Sequence, residues 1–361
     1  MRKVSISIAI LQLKYGDEEA LRIAKRIGAD AVDFNLCDND RKNPNDIYSK
    51  DDDAILEYYR HLKQVADEIG LEICQTHGRL QGFKDIPEED DNLAANSRID
   101  CMATAALGAK ICVVHSVTTI FMGPDADPKK MRDLNFDMFT RMLPFAKEYG
   151  VIIASETFGD AVRFACCDFF GQINEFLMSY NRVCAVEDFA KYFKICVDTG
   201  HSNKAMRFGN PKPGDVIRLA GQNLVALHLN DNDTLTDQHK TPLTGTIDWN
   251  DVFDALDEIG YSGYYNMELE LRHFGKDFEI EEAAFSIKVL RNMLKDPTAK
   301  TLDLIVYRKE PSAFNRRLFE HTIKLRFMTR WQICTLAPHA EKPYRLLFYR
   351  LISVAITAFC A

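Results

Sequence analysis

Residues 193–201 read FKICVDTGH. An apolar run of strand length stops at Asp198, and His201 follows three residues later. A strand covered on both faces is a near-continuous apolar run. Packing gives such a run no reason to finish in a carboxylate and an imidazole, because buried charge is costly unless it is paired or bound to a metal. The stretch therefore raises a question about the rest of the chain: whether other strands end in the same way.

Outward from it, strand-like and helix-like segments alternate from residue 4 to about 295. VSISIAIL (4–11) reads as a strand, and DEEALRIAKRIGAD (17–30) has helical spacing and closes at Gly28. AVDFNL (31–36) precedes a helix at 53–70, LEICQT (71–76) a helix at 92–108, and AKICVVH (109–115) a helix at 129–150. VIIASE (151–156) leads into a less regular helical region near 170–190, whose aromatic run DFFGQINEFLMSYNRVC (168–184) reads as core packing. FKICVD (193–198) is followed by PGDVIRLAG (213–221), NLVALH (223–228) by a helix at 248–260 with Asp248 as its cap, and YYNMELE (264–270) by a helix at 279–294. Eight strand-then-helix units in one domain predict an α/β fold, a (β/α)8 TIM barrel over residues 1–296. An open doubly wound sheet would call for a Gly-rich phosphate turn after an early strand, and the chain has none.

Residues 297–361 differ: they are rich in Arg, poor in acids and carry no motif. They read as a basic C-terminal appendage peripheral to the chemistry. Its apolar end, LLFYRLISVAITAFCA, is shorter than the roughly 20 residues of a membrane span. The N-terminal apolar run is also too short for a span, lacks a small-residue cleavage site, and reads as the first strand. The net charge of −8 argues against tight nonspecific nucleic-acid binding. The 10 Cys include no CxxC pair, and Cys74, Cys112 and Cys196 fall inside apolar runs, as reduced buried thiols of a cytoplasmic protein would.

The later strands repeat the pattern of the opening stretch. They end in His77, His115, Glu156, Asp198, His228 and Glu268. In a barrel these ends converge on the C-terminal mouth, where barrel active sites lie. Any one of these His read alone is a hydrogen-bonded structural residue; six such ends in succession suit a divalent metal. Mixed imidazole and carboxylate ligands favour zinc, manganese or cobalt. Glu156, Asp198, His228 and Glu268 would form one site. His77, His115, His201, Asp237 and His239 bring the candidates to nine, enough for more than one ion, although Asp237 also reads as a turn former. Glu268 and Glu270 share a face, with Glu268 deeper and Glu270 at the rim. Asp231 and Asp233 are expected to solvate and shape their loop. Arg79, Lys204, Arg207 and Arg272 are expected to be solvated charges near the mouth that could hold a phosphate or carboxylate. His61, His321 and His339 read as structural, and His273 as lying near the mouth.

CVDTGHSN (196–203), LHLNDN with DQHKTPLTGTIDW (227–249), and GYSGYYNMEL (260–269) together resemble motifs of the xylose isomerase-like barrels, which include sugar-phosphate isomerases and epimerases and endonuclease IV. The resemblance covers about residues 1–295. It implies metal ligation by Glu156, Asp198, His228 and Glu268, the last lying five residues after the Gly of GYSG. For a ketose epimerase it implies Glu156 and Glu268 as acid and base, with His201 on a substrate oxygen; His77 and His115 are then expected to serve substrate or structure. The Arg expected a few residues after the strand-7 His is absent, since DNDTLT stands there. Resemblance to endonuclease IV implies that all nine candidates hold three zinc ions and that a phosphodiester is cut, yet the loop NDNDTLTDQH is acidic where a phosphate backbone would lie. An inosose-dehydratase-like lyase and a non-catalytic binding barrel with a structural metal are further alternatives. The leading expectation is a metal-dependent isomerase or epimerase taking a sugar or sugar phosphate, and a homo-oligomer as relatives often are.

Overall fold

The structure is a computed structural model that describes residues 2–275 and 277–295. The basic appendage expected at 297–361, with His321, His339 and the expected 296/297 boundary, lies outside the described residues. Eight parallel strands form one sheet: β1 Val4–Ser7, β2 Ala31–Asn35, β3 Glu72–His77, β4 Ile111–Val114, β5 Ile152–Glu156, β6 Phe193–Asp198, β7 Leu224–His228 and β8 Tyr265–Met267. Neighbours follow chain order, and β1 also pairs with β8 in parallel. The last seam closes just past the strands: Leu229 N–H donates to the Asn266 carbonyl at 2.8 Å, and Glu268 N–H to the Leu229 carbonyl at 3.3 Å. The sheet is thus a nearly closed barrel and not an open doubly wound sheet.

The surrounding helices are α1 Ala9–Tyr15, α2 Asp17–Arg26, α3 Asp52–Glu68, α4 Pro87–Ala106, α5 Pro128–Tyr149, α6 Ile173–Cys184, α7 Thr199–Ala205, α8 Pro213–Ala220, α9 Trp249–Glu258 and α10 Glu279–Lys295. Short helices are marginal alone, so their stability comes from the apolar face laid on the barrel. Asp248 caps α9 as expected, its carboxylate accepting from the N–H groups of Asn250 and Asp251. α5 stops at Gly150, which takes φ 67° and donates its N–H to the Ala146 carbonyl, a conformation glycine adopts without steric cost. The unclear region near 170–190 resolves into α6, which buries Ile173, Phe176, Tyr180 and Val183 on one face, the core packing the aromatic run suggested.

Several boundaries differ from the sequence reading; the strand read as 109–115, for example, spans Ile111–Val114 and leaves His115 one residue past it. VSISIAIL stops being strand at Ser7, because Ala9 already begins α1 and Leu11 turns inward from it. α4 begins at Pro87, five residues earlier than read, with a proline in the first turn where the missing N–H costs nothing. The last strand ends at Met267, so Glu268 lies one residue past the ladder.

The inside of the barrel explains where the site sits. Val113, Ala154, Cys196 and Ala226 form a small buried cluster of their own. Each lies two residues before His115, Glu156, Asp198 or His228, and strand side chains two apart share a face. The inward face of four neighbouring strands therefore goes from small and apolar to chemically active within one step. The outward residues Val114, Ile153, Ile195, Val197 and Leu227 join the main core between barrel and helices. Among the described residues no helix is long and apolar enough to cross a membrane.

Candidate metal centre

The opening motif has a local cause. Asp198 is the last residue of β6 and the N-cap of α7, and its Oδ1 accepts from the His201 N–H at 2.6 Å. A capping carboxylate three residues before His201 fixes the first turn and aims both side chains at the mouth. The intervening Gly200 is required by packing: a Cβ there would stand 1.9 Å from Asn230 Oδ1. Asn230 in turn donates to Asp198 Oδ2 at 2.7 Å. Gly200→Ala is therefore expected to displace Asn230, release Asp198, and cost about 1–3 kcal/mol as overpacking does; a lower melting temperature by scanning calorimetry would show it.

Glu156 stands at the centre and is fully buried. Its Oε2 lies 3.3 Å from His77 Nε2 and 3.1 Å from His115 Nε2. Its Oε1 lies 3.2 Å from His201 Nδ1 and 3.1 Å from His228 Nδ1. Glu268 Oε2 lies 3.2 Å from the same His228 Nδ1, and its Oε1 3.7 Å from His77 Nε2. Further out, Asp237 Oδ2 faces His201 Nε2 at 3.5 Å and His239 Nε2 at 3.4 Å. The backbone at His239 takes φ 44°, in the left-handed region that non-glycine residues rarely adopt and that recurs at functional sites.

All nine candidates are thus brought together. Within the cluster, Glu156, Asp198, His228 and Glu268 each offer a ligand atom within 4.8 Å of the others, as do His77, His115 and Glu156, and Asp198, His201 and His239. Both Glu156 oxygens, His77 Nε2 and His228 Nδ1 are buried without hydrogen-bond partners despite these short approaches. Buried polar atoms are almost always partnered. Carboxylate oxygens and imidazole nitrogens converging on one space are a set that a cation would satisfy, so the residues fit a divalent metal by their own chemistry.

Electrostatics point the same way. Burial alone would raise the Glu156 carboxyl, but His228, His115 and His201 outweigh it and hold it well below the ordinary carboxylate range. Glu268 is likewise held low against burial by His228 and His239. Burial would lower His239, but Asp237 and Glu268 raise it to about 9. His228 is also raised well above its ordinary value against burial, by the acidic groups around it, Cys196, Glu156 and Glu268 among them. Burial lifts Asp198, and His201 and His239 only partly offset it.

Several residues of the site are not legible as ends of strands. Asp33, on the inward face of β2, is fully buried, and its Oδ2 accepts from Gln75 Nε2 at 3.1 Å, His228 Nε2 at 3.2 Å and Asn266 Nδ2 at 3.2 Å. With Nε2–H given to Asp33, Nδ1 is the nitrogen that faces Glu156 and Glu268, and it is free to take a metal once its proton is displaced. The one signal in sequence is a lone carboxylate inside AVDFNL. Asp33→Asn is expected to weaken metal affinity by roughly 10–100-fold, measured by competition with a chelating dye. Phe158 packs its ring 5.3 Å from His115 and 5.2 Å from His201, an aromatic wall beside the cluster.

Other expectations sort by burial. Glu270 pairs with Arg272 at the rim, both partly exposed, while Glu268 is the deeper carboxylate, as read. Arg79 and Lys204 are not solvated charges. Arg79 is buried with its guanidinium on Asp100 at 2.8 and 2.9 Å. Lys204 is buried against Asp160 and Asp237. Arg207 also pairs with Asp160. Asp231 is fully buried and accepts from Trp249 Nε1 at 2.8 Å, so it anchors its loop from inside, whereas Asp233 shapes the loop by accepting the Leu235 and Thr236 N–H groups. His273 lies near the mouth as read, bridging Glu282 at 2.7 Å and the carbonyl of Gln238, between Asp237 and His239, at 2.7 Å, and His61 pairs with Glu18 on the surface.

Comparison with known proteins supports this architecture. The chain is 26% identical over 249 residues to an uncharacterized protein of Methanocaldococcus jannaschii, covering 65% of this chain and 74% of that protein. Its fold is similar to a D-psicose 3-epimerase from Clostridium cellulolyticum H10, with TM-score 0.61 at 19% identity over 81% of this chain and 99% of that one. It is also similar to the IolI protein with a bound zinc atom, with TM-score 0.59 at 18% identity over 82% of this chain and 98% of that one. The family model described as a xylose isomerase-like TIM barrel matches residues 21–293. With three-quarters of its length under that match and the barrel closed as described, the chain belongs to the xylose isomerase-like TIM barrel family.

Proposed function

We propose that this barrel is a divalent-metal-dependent isomerase or epimerase of a sugar or sugar phosphate. The observation that carries the reading is that two glutamates, Glu156 at the end of β5 and Glu268 past β8, meet at one four-ligand group with Asp198 and His228. Manganese, zinc or cobalt suits that donor set. The similarity to a D-psicose 3-epimerase and to a zinc-holding IolI protein supports the substrate class and the metal.

When bound, such an ion supplies positive charge beside a carbonyl oxygen and makes the neighbouring C–H more acidic. The chain's own residues move the proton. One of Glu156 and Glu268 takes it from the carbon next to the carbonyl as general base, and the other returns a proton as general acid. Their carboxyls, held low, are ionised at neutral pH, so the base is ready and the acid must first collect a proton. His201, His77 and His115 surround Glu156 with donors that would orient substrate hydroxyls, and Phe158 would close that side to water. The free cysteines among the described residues would suit a cytoplasmic setting, and a homo-oligomer would suit the family.

A second reading, hydrolysis of a phosphodiester, is favoured by the further ligand groups at His77, His115 and Glu156 and at Asp198, His201 and His239. The two readings separate in one assay. Protein loaded in turn with Mn, Co and Zn is offered a panel of ketoses, their phosphates and keto-glycosides, and separately an abasic-site duplex. Conversion of a sugar with an intact duplex is expected; strand cleavage without sugar conversion would overturn the proposal.

A further inference from the structure

The outer group of the cluster contains a cation supplied by the chain itself. Lys204, on α7 one turn beyond His201, is 2% exposed. Its Nζ lies 2.7 Å from Asp160 Oδ1, in the loop after β5, and 3.2 Å from Asp237 Oδ1, in the loop after β7. Asp160 has a second partner in Arg207, so it does not need Lys204 for neutrality. Asp237 has its Oδ1 on Lys204 and its Oδ2 between His201 and His239. Both of its oxygens are therefore engaged, and the ammonium that engages one of them is held in place from behind.

We propose that Lys204, fixed on Oδ1 of Asp237 while His201 and His239 face its Oδ2, disfavours a second divalent ion there by charge repulsion, and so keeps the outer group of Asp198, His201 and His239, with Asp237 beside it, free of metal. This inference rests on the proposed reading that the inner four-ligand group holds an ion. A divalent ion at Asp237 Oδ2 would sit across one carboxylate from a buried, fixed ammonium, and like charges that close repel. The lysine side chain is enclosed and its ammonium is ion-paired with Asp160. Lys204 is thus a positioning residue. It ties the loop after β7 to the loop after β5, orients Asp237 onto the two imidazoles, and confines metal to the barrel's inner ligands. The same arrangement disfavours the phosphodiesterase reading, which needs the outer group as a metal site.

The test is zinc content per chain by elemental analysis after equilibration with Zn2+ and removal of excess. Lys204→Met is expected to carry one more zinc per chain than wild type, since Arg207 still holds Asp160 while Asp237 is released. Lys204→Arg, which keeps the charge, is expected to match wild type. His239→Ala is expected to leave the wild-type count unchanged and to remove the added ion from the Lys204→Met protein. A folded Lys204→Met protein with the wild-type count would overturn the proposal. So would one zinc fewer in His239→Ala, a comparison that decides the matter even if Lys204→Met fails to fold. A wild-type chain without zinc beside a Lys204→Met chain with one would sink the inner-site reading and keep the role of Lys204; none in either would overturn both.

Discussion

Replacing Glu156 by Gln is expected to abolish turnover and to empty the inner site together. Glu156 is fully buried, and its two oxygens are the atoms on which His77, His115, His201 and His228 all converge. Glutamine keeps the shape but places an amide –NH2, a donor, where an acceptor must face a cation. It also removes a proton-transfer group, which alone contributes roughly 10²–10⁴-fold. The expected result is loss of detectable conversion in the sugar assay and loss of bound metal by elemental analysis. A variant that kept both would remove Glu156 from the centre of the account.

The second large effect is on stability. The unpartnered atoms of His77, Glu156 and His228 are costly without an ion and satisfied with one. An ion that binds only the folded chain adds about 2.7 kcal/mol at 100 times its Kd. For a barrel of this size that corresponds to a rise in Tm of about 4–5 °C. A chelator should reverse it. The shift should also depend on pH with a definite sign. Without an ion His228 is raised well above its ordinary value, against burial, by the acidic groups around it, so a proton holds it through neutrality. A ligating imidazole must be neutral, so metal has to displace that proton, and its affinity falls as pH falls. The Tm rise on adding metal should therefore be larger at pH 8 than at pH 6. An equal rise at both would mean that the ion binds elsewhere.

How much of this the sequence showed follows from where each residue stands. The barrel was legible because eight apolar runs each precede a segment of helical period, and parallel strands buried on both faces leave that signature. His77, His115, Glu156, Asp198 and His228 were legible because each interrupts such a run at its end. Glu268, like His115, lies one residue past its strand, and it was legible as the deeper of two carboxylates on one face and, through the resemblance, by its distance from Gly263. Asp33 stayed hidden because it is inside an apolar run, and only barrel closure shows that it lies beneath His228. Lys204 and Arg79 were misread for a related reason. A basic residue in a loop is usually solvated, and nothing local announces that Asp160 and Asp237, or Asp100, will fold against them. Burial of a charge is a property of topology, while the end of a strand is a property of the local run.

The central claim is that Glu156 and Glu268 exchange a proton at a carbon beside a carbonyl. Solvent deuterium incorporation tests it most directly. The metal-loaded protein is incubated in D2O with the sugars it converts, and the carbon-bound positions are read by NMR. Deuterium is expected at the carbon next to the carbonyl, at a rate that falls by roughly 10²–10⁴-fold in Glu268→Gln while sugar binding survives. Conversion that leaves that position fully protonated in D2O, or wash-in unchanged by Glu268→Gln, would contradict it.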